Sequence, residues 1–69
     1  MTITINGKAV GHIISNRSLT TSEIMWSLGY DISDEQDCKA GYDRDIEGFY
    51  LDDDGHYCFD AEADVRLED

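Results

Sequence analysis

The stretch from Tyr42 to Asp60, YDRDIEGFYLDDDGHYCFD, constrains the fold most, because its apolar and acidic residues suit only one hairpin register. A two-residue Asp54-Gly55 turn would mix apolar and polar side chains on both faces. A three-residue loop at 53–55, with Gly55 left-handed in a bulge, instead separates them. Its apolar face carries Phe49, Leu51, Tyr57 and Phe59. Its outer face carries Tyr50, Asp52, His56 and Cys58. Since a one-residue slip would expose the apolar set, we predict this second register, with Phe49 opposite Phe59 and Leu51 opposite Tyr57.

A second hairpin is predicted at the start of the chain, around the turn pair Asn6-Gly7. Alternating apolar residues favour strands at about 2–5 and 8–14, with Ile5 opposite Lys8 and Ile3 opposite Val10. His12 would then lie on the same side as Val10 and Ile14. We therefore expect it to be a half-buried core histidine rather than a catalytic base.

Two capping boxes predict two short helices. Thr20 and Glu23 favour a helix over about 21–28, ended by Gly29, with Ile24, Met25 and Leu28 facing inward. Trp26 lies off that stripe. We expect it to pack under a neighbouring loop or strand, and the alternative is an exposed anchor for a partner.

The second box, Ser33 to Gln36, favours a helix over about 34–40 that stops at Gly41. Residues 61–69 fit either a helical turn capped by Asp60 or a short edge strand at Val65 and Leu67. The prediction is a single compact acidic α+β domain over 1–69, with two β-hairpins and two short helices.

The charge is confined to one half of the chain. Fifteen of the sixteen acids follow Tyr30, against three basic residues, so residues 31–69 carry a net charge of −12 and residues 1–30 carry +1. Such a surface repels nucleic acid and anionic membranes and attracts basic proteins. The first residues lack the pattern of a signal peptide or a membrane span, and we expect a cytoplasmic protein.

Few motifs for metal or catalytic chemistry stand out. Residues 43–54 approximate a calcium loop, with acids at positions 1, 3 and 5 and glycine at position 6. Position 12 is Asp54 rather than glutamate, and Asp54-Gly55 begins a turn where a helix should start, so calcium binding stays a weak alternative. The two cysteines and two histidines lack metal-ligand spacing, and we expect free thiols, no cofactor and no enzyme activity.

The segment from Asp31 to Asp60, with its one-sided charge and the run Asp52-Asp53-Asp54, resembles the small acidic DNA-mimic proteins of phages and mobile elements, particularly anti-CRISPR proteins. The resemblance implies a monomeric inhibitor in the host cell that binds a basic nucleic-acid-binding surface, foremost that of a CRISPR-Cas effector complex. It also implies that the chain has no catalytic residues and binds no nucleic acid directly.

Two residue types are candidates for contacting such a partner. Carboxylates would replace phosphates, and tyrosines among them would stack on arginines. The candidate partner-binding residues are Asp34, Glu35, Asp37, Tyr42, Asp43, Asp45, Glu47, Tyr50, Asp52, Asp53 and Asp54. The alternative is a small non-catalytic interaction module, whose acids only solubilise it and whose working surface is an apolar patch of Trp26 with Tyr30.

Overall fold

Seven short elements follow one another in the computed structural model, which describes residues 1–15 and 17–69. The elements are β1 (Thr2–Ile5), β2 (Lys8–His12), α1 (Thr21–Ser27), α2 (Glu35–Asp43), β3 (Phe49–Leu51), β4 (Tyr57–Phe59) and β5 (Val65–Glu68). One antiparallel sheet has the order β2-β1-β5, and β3 pairs with β4 in a second. The α+β prediction with two hairpins and two short helices is confirmed.

A β-bulge changes the predicted pairing of the first hairpin. Ile5 lies opposite Lys8 as predicted, but Ile3 pairs with Gly11 rather than Val10 because the register shifts between Ile3 and Thr4. Gly11 fits there because a Cβ at this position would lie 2.6 Å from Cδ2 of Leu28. The helix that follows thus packs closely on β2.

The bulge also reverses which side chains face inward after it. His12 is exposed and Ile14 is fully exposed, whereas Ile13 is half-buried. The predictions of a core histidine and of a strand reaching residue 14 were therefore wrong, since both assumed unbroken alternation.

The last strand completes the first sheet. β5 pairs antiparallel with β1, with Leu67 opposite Ile3 and Val65 opposite Ile5. This settles the two alternatives for residues 61–69 in favour of the edge strand. As the central strand, β1 has Ile3, Thr4 and Ile5 buried.

Helix α1 has the predicted capping box. The amide of Glu23 donates to Thr20 Oγ1 at 3.2 Å, and the amide of Thr20 donates to Glu23 Oε1 at 3.0 Å. The helix ends at left-handed Gly29, as predicted, and Ile24 and Met25 are buried. Trp26 is 68% exposed, so the expectation that it packs under a loop or strand was wrong.

Helix α2 begins and ends later than predicted. Asp34, not Ser33, is the N-cap, because its carboxylate accepts from the amide of Gln36 at 2.9 Å. The helix continues through Gly41 to Asp43, and Asp45 is the left-handed residue that ends it, with φ of 60°. Gly41 is instead required by packing, since a Cβ there would lie 2.8 Å from Cγ of Phe49.

The hairpin of β3 and β4 has the predicted register. Phe49 lies opposite Phe59 and Leu51 opposite Tyr57, and Gly55 is left-handed with φ of 81°. The prediction that Leu51 faces inward was wrong, since it is 43% exposed at the end of β3. Phe49 is buried together with Ile5, Met25, Tyr30 and Cys38. This cluster joins both sheets and both helices in one core.

Replacing Gly41 with alanine should destabilise the protein despite the gain in helix propensity. Overpacking against Phe49 costs about 1–3 kcal/mol, whereas glycine to alanine in a helix gains at most about 1 kcal/mol. We expect a net loss of about 1 kcal/mol in the free energy of unfolding, measured by urea denaturation. Gln36→Ala, at an exposed site of the same helix, is the control. A Gly41→Ala variant more stable than wild type would contradict this packing.

The Glu23 carboxylate should make α1 sensitive to acid. Its hydrogen bond to Arg17, followed by those to Thr20, lowers the pKa from 4.5 to about 2. Because the folded pKa is depressed, its stabilising contribution is complete above about pH 4.5 and is lost as the pH falls through about 2. The difference in unfolding free energy between wild type and Glu23→Gln should therefore shrink steadily below pH 4.5. A constant difference across this range would contradict the assignment.

Candidate protein-binding surface

Helix α2 and the β3–β4 hairpin pack together. All eleven predicted partner-binding residues lie on these two elements, at the N-cap of α2 or in the loop between them. The rings of Tyr42 and Tyr57 meet edge to face at 5.4 Å. At the other end of the helix, the amide of Tyr57 donates to Glu35 Oε2 at 3.3 Å. The carboxylates of the helix and of the hairpin tip therefore hold fixed positions relative to one another.

The hairpin tip holds Asp52, Asp53 and Asp54, which have different roles. Asp52 Oδ1 accepts from the amides of His56 at 2.8 Å and Asp54 at 3.0 Å, and these bonds, the one from His56 first, lower its pKa. His56 Nδ1 lies 3.7 Å from Asp52 Oδ2. Asp53 and Asp54 are exposed, so they are the carboxylates of the tip that are open to a partner.

Some acids in the first turn of α2 accept hydrogen bonds that order the preceding loop, and others face solvent. Asp37 is half-buried, and its Oδ2 accepts from the amide of Asp31 at 2.8 Å. Asp31 in turn binds the hydroxyl and amide of Ser33, which lowers its pKa. Asp34 and Glu35 are exposed. Of the three acids predicted here, these two face solvent and Asp37 orders the loop before the helix.

The other end of α2 carries Asp43, Asp45 and Glu47. Asp43 forms an ion pair with Lys39 at 2.7 Å, and Asp45 is exposed. Glu47 is half-buried, and its Oε1 accepts from Asn6 Nδ2 at 3.4 Å. This bond links the N-terminal hairpin to the acidic half, a contact that the sequence pattern did not reveal.

Two open clefts share the segment 47–49 in their linings. The larger, of about 470 Å³, is lined by Asn6, Glu47, Gly48, Phe49, Tyr50 and Asp60. The smaller, of about 170 Å³, is lined by Tyr42, Asp45, Ile46, Glu47, Gly48 and Phe49. Each cleft thus combines one tyrosine with two carboxylates. Asp60 is a site residue that we did not predict, because only the fold brings it opposite Glu47.

Both tyrosines present an exposed ring to these clefts. Tyr42 is 41% exposed and Tyr50 is 45% exposed. The pKa of the Tyr50 hydroxyl is raised, chiefly by the neighbouring Cys58 and then by burial, and less by the carboxylates of Asp52 and Asp60. Tyr50 is therefore neutral at physiological pH, and its ring is a suitable surface for a cation.

The basic side chains are engaged within the chain. Four of the five form ion pairs within 4.0 Å, namely Lys8 with Glu47, Arg17 with Glu23, Lys39 with Asp43 and Arg66 with Asp64. Arg44 donates to the Tyr30 hydroxyl at 2.9 Å. These pairs involve four of the sixteen acids, so twelve have no lysine or arginine partner among residues 1–15 and 17–69.

The calcium loop considered for residues 43–54 does not form. Asp43 is the last residue of α2 and binds Lys39, and Asp54 lies in the turn between β3 and β4, where the pattern requires the start of a helix. Asp52, Asp54 and His56 at the tip do place possible ligand atoms within 4.8 Å of one another. They come from one tight turn, and exposed acidic groups commonly lie this close without an ion.

The apolar patch of Trp26 with Tyr30 also needs correction. Tyr30 is only 6% exposed and packs against Phe49, with ring centroids 5.3 Å apart. Trp26 is therefore an exposed aromatic residue without the predicted companion.

Cys38 is buried and Cys58 half-buried, both as free thiols, and burial raises the pKa of each.

Comparison with protein-family models, curated proteins and solved structures found no match to the chain. In the part of the chain that the structure describes, no helix has the length and apolar character to cross a membrane.

Removing the Asp52 carboxylate should destabilise the hairpin, while removing its neighbour should not. Asp52→Ala loses the acceptor for two backbone amides, whereas Asp53→Ala removes an exposed side chain. We expect a lower melting temperature for Asp52→Ala and an unchanged one for Asp53→Ala, by circular dichroism. Equal melting temperatures for the two variants would show that Asp52 does not support the turn.

Proposed function

We propose that this protein is an acidic decoy that binds the basic, nucleic-acid-binding surface of another protein and so blocks nucleic acid from reaching it. The observation that carries the proposal is the set of twelve carboxylates without a lysine or arginine partner on a folded body. Following the resemblance to DNA mimics, the first target class to test is the DNA channel of a CRISPR-Cas effector complex in the host cytoplasm.

The density of charge supports the proposal. The net charge is −11 and the longest dimension of the molecule is 39 Å, which gives about one negative charge per 3.5 Å. One strand of duplex DNA carries a phosphate about every 3.4 Å along the axis. A groove that holds one strand by its phosphates would thus meet a comparable number of anions on this protein.

Preorganisation of the carboxylates also supports it. Asp34 and Asp60 are each fixed through one oxygen by a backbone amide, of Gln36 at 2.9 Å and of Glu62 at 2.8 Å. Ordering flexible side chains costs about 0.5–1.5 kcal/mol each on binding. Because these side chains are ordered before binding, their second oxygens meet a partner at a smaller entropic cost.

The clefts place a tyrosine ring beside carboxylates, which a diffuse acidic surface lacks. This arrangement can bind an arginine side chain of the partner specifically. An arginine of the partner entering the larger cleft would lie over Tyr50 and reach Asp60, whereas Glu47 is already bound by Asn6 and Lys8. Planar guanidinium groups stack on aromatic rings and bind carboxylates through paired donors. In this proposal the cleft receives arginines that would otherwise bind phosphate.

The test is binding to purified nucleic-acid-binding complexes, with and without competing DNA. For a target that binds, Asp53→Lys combined with Asp54→Lys should weaken binding about tenfold or more, because both are exposed and neither supports the turn. Glu62→Lys combined with Glu68→Lys, an equal total change of charge at exposed sites outside α2 and the tip, is the matched control. Asp52 is left unchanged so that the hairpin survives.

Salt and DNA give the readouts that identify the mode of binding. Affinity should fall steeply with rising salt, because salt screens the attraction between the carboxylates and the target's basic side chains. DNA should displace the protein, because DNA and the protein bind the same lysine and arginine side chains of the target. Binding that resists salt, or that continues while the target holds DNA, would overturn the proposal.

A second function is favoured by one observation, the exposed ring of Trp26 on α1. Exposed tryptophans often anchor protein interfaces. If the protein is an interaction module of this kind, Trp26→Ala should abolish binding while the charge reversals at the tip leave it intact. The decoy requires the opposite result, so the two variants distinguish the proposals.

A further inference from the structure

The turn between β1 and β2 holds the reactive sequence Asn6-Gly7, with both residues left-handed at φ of 52° and 84°. Asparagine followed by glycine can deamidate without an enzyme, because glycine leaves its backbone nitrogen accessible. That nitrogen loses its proton and bonds to Cγ of the asparagine, while the bond from Cγ to Nδ2 breaks and Nδ2 leaves as ammonia. Water then opens the succinimide ring to give aspartate or isoaspartate.

In the folded protein, the carboxamide of Asn6 is already bound on both of its polar atoms. Oδ1 accepts from the amide of Asp64 at 2.9 Å, and Nδ2 donates to Glu47 Oε1 at 3.4 Å. The amide of Asn6 also donates to the carbonyl of Asp64 at 2.8 Å. Cγ can turn toward the nitrogen of Gly7 only when these contacts open.

We propose that Asn6 is a spontaneous deamidation site whose rate is controlled by its contacts with Asp64 and Glu47. Opening of the segment before β5 exposes the reactive pair, and closing protects it. The rate of deamidation therefore depends on how often the segment before β5 opens. This inference goes beyond the decoy function and does not depend on it.

Deamidation should also alter the larger cleft. An aspartate at position 6 loses the donor that binds Glu47 and faces its carboxylate with a second negative charge. An isoaspartate additionally inserts one carbon into the backbone of a two-residue turn, which disturbs the pairing of Ile5 with Lys8. Either product loosens the link between the N-terminal hairpin and the acidic half.

The rate is tested by incubating the folded protein and a peptide covering residues 3–10 in the same neutral buffer, with products located by peptide mass mapping. We expect conversion of Asn6 in both, at least about tenfold slower in the folded protein, which corresponds to about 1.4 kcal/mol of local opening. Asn6→Gln should abolish the product at this position. Equal rates in protein and peptide would show that the contacts do not control the reaction.

Two variants test which contacts protect Asn6. Glu47→Ala removes the acceptor of Nδ2, and Leu67→Ala weakens the pairing of β5 with β1. Both should speed conversion several-fold toward the peptide rate under conditions where circular dichroism shows the fold intact. Conversion at the wild-type rate in both would overturn the proposal.

The effect on the cleft is tested with Asn6→Asp, which mimics the normal product. It should lower the melting temperature, and adding Glu47→Gln should restore part of the loss by removing the repulsion between the two carboxylates. If Glu47→Gln lowers the melting temperature equally in both backgrounds, the predicted repulsion is absent.

Discussion

The contact of the Phe49 ring with the backbone of α2 at Gly41 determines how the acidic half of the protein is arranged. A side chain at position 41 would occupy the volume of the ring, so the helix can approach the hairpin only because glycine is there. Phe49 also packs on Tyr30 and Phe59, with ring centroids 5.3 and 4.9 Å apart. Phe49 therefore fixes how α2 lies against β3, and it also places both elements on the buried core. This arrangement positions half of the sixteen acids, which stand on the helix, on the hairpin or on the loop between them.

The high charge is compatible with a stable fold because the acids next to the core are satisfied locally. Asp37, Asp52 and Asp31 accept backbone amides, and four other acids form ion pairs with the basic side chains. The remaining carboxylates lie on the outside, where water screens their repulsion over about 8 Å at physiological salt. Their mutual repulsion still favours binding to anything that supplies positive charge. The acids thus divide into four that are paired with basic side chains and twelve without such a partner in the described part of the chain, and several of the twelve also accept a backbone amide.

Local signals in the sequence predicted what depends on neighbouring residues alone. The register of the second hairpin follows from Gly55 and the apolar face, and the cap of α1 follows from Thr20 and Glu23. Features that depend on distant partners were missed. The bulge places Gly11 against Leu28, α2 continues past Gly41 where the ring of Phe49 packs, and the cleft is lined by Asn6 and Glu47, which are 41 residues apart. Glycine predicts a helix end at both Gly29 and Gly41, yet only the first has a left-handed backbone. The residue type alone did not distinguish a turn from a close approach.

The position of β1 between β2 and β5 has a consequence for the order of folding. The hairpin of β1 and β2 closes over a two-residue turn, and α2 meets β3 and β4 within a short stretch of chain. The pairing of Thr2 with Glu68 instead joins residues at opposite ends of the described chain. Closing so long a loop loses more chain entropy than closing a turn, and contacts distant in sequence slow folding. We therefore expect the addition of β5 to be the late kinetic step, so that the two local units collapse first and the three-stranded sheet is completed only when they dock.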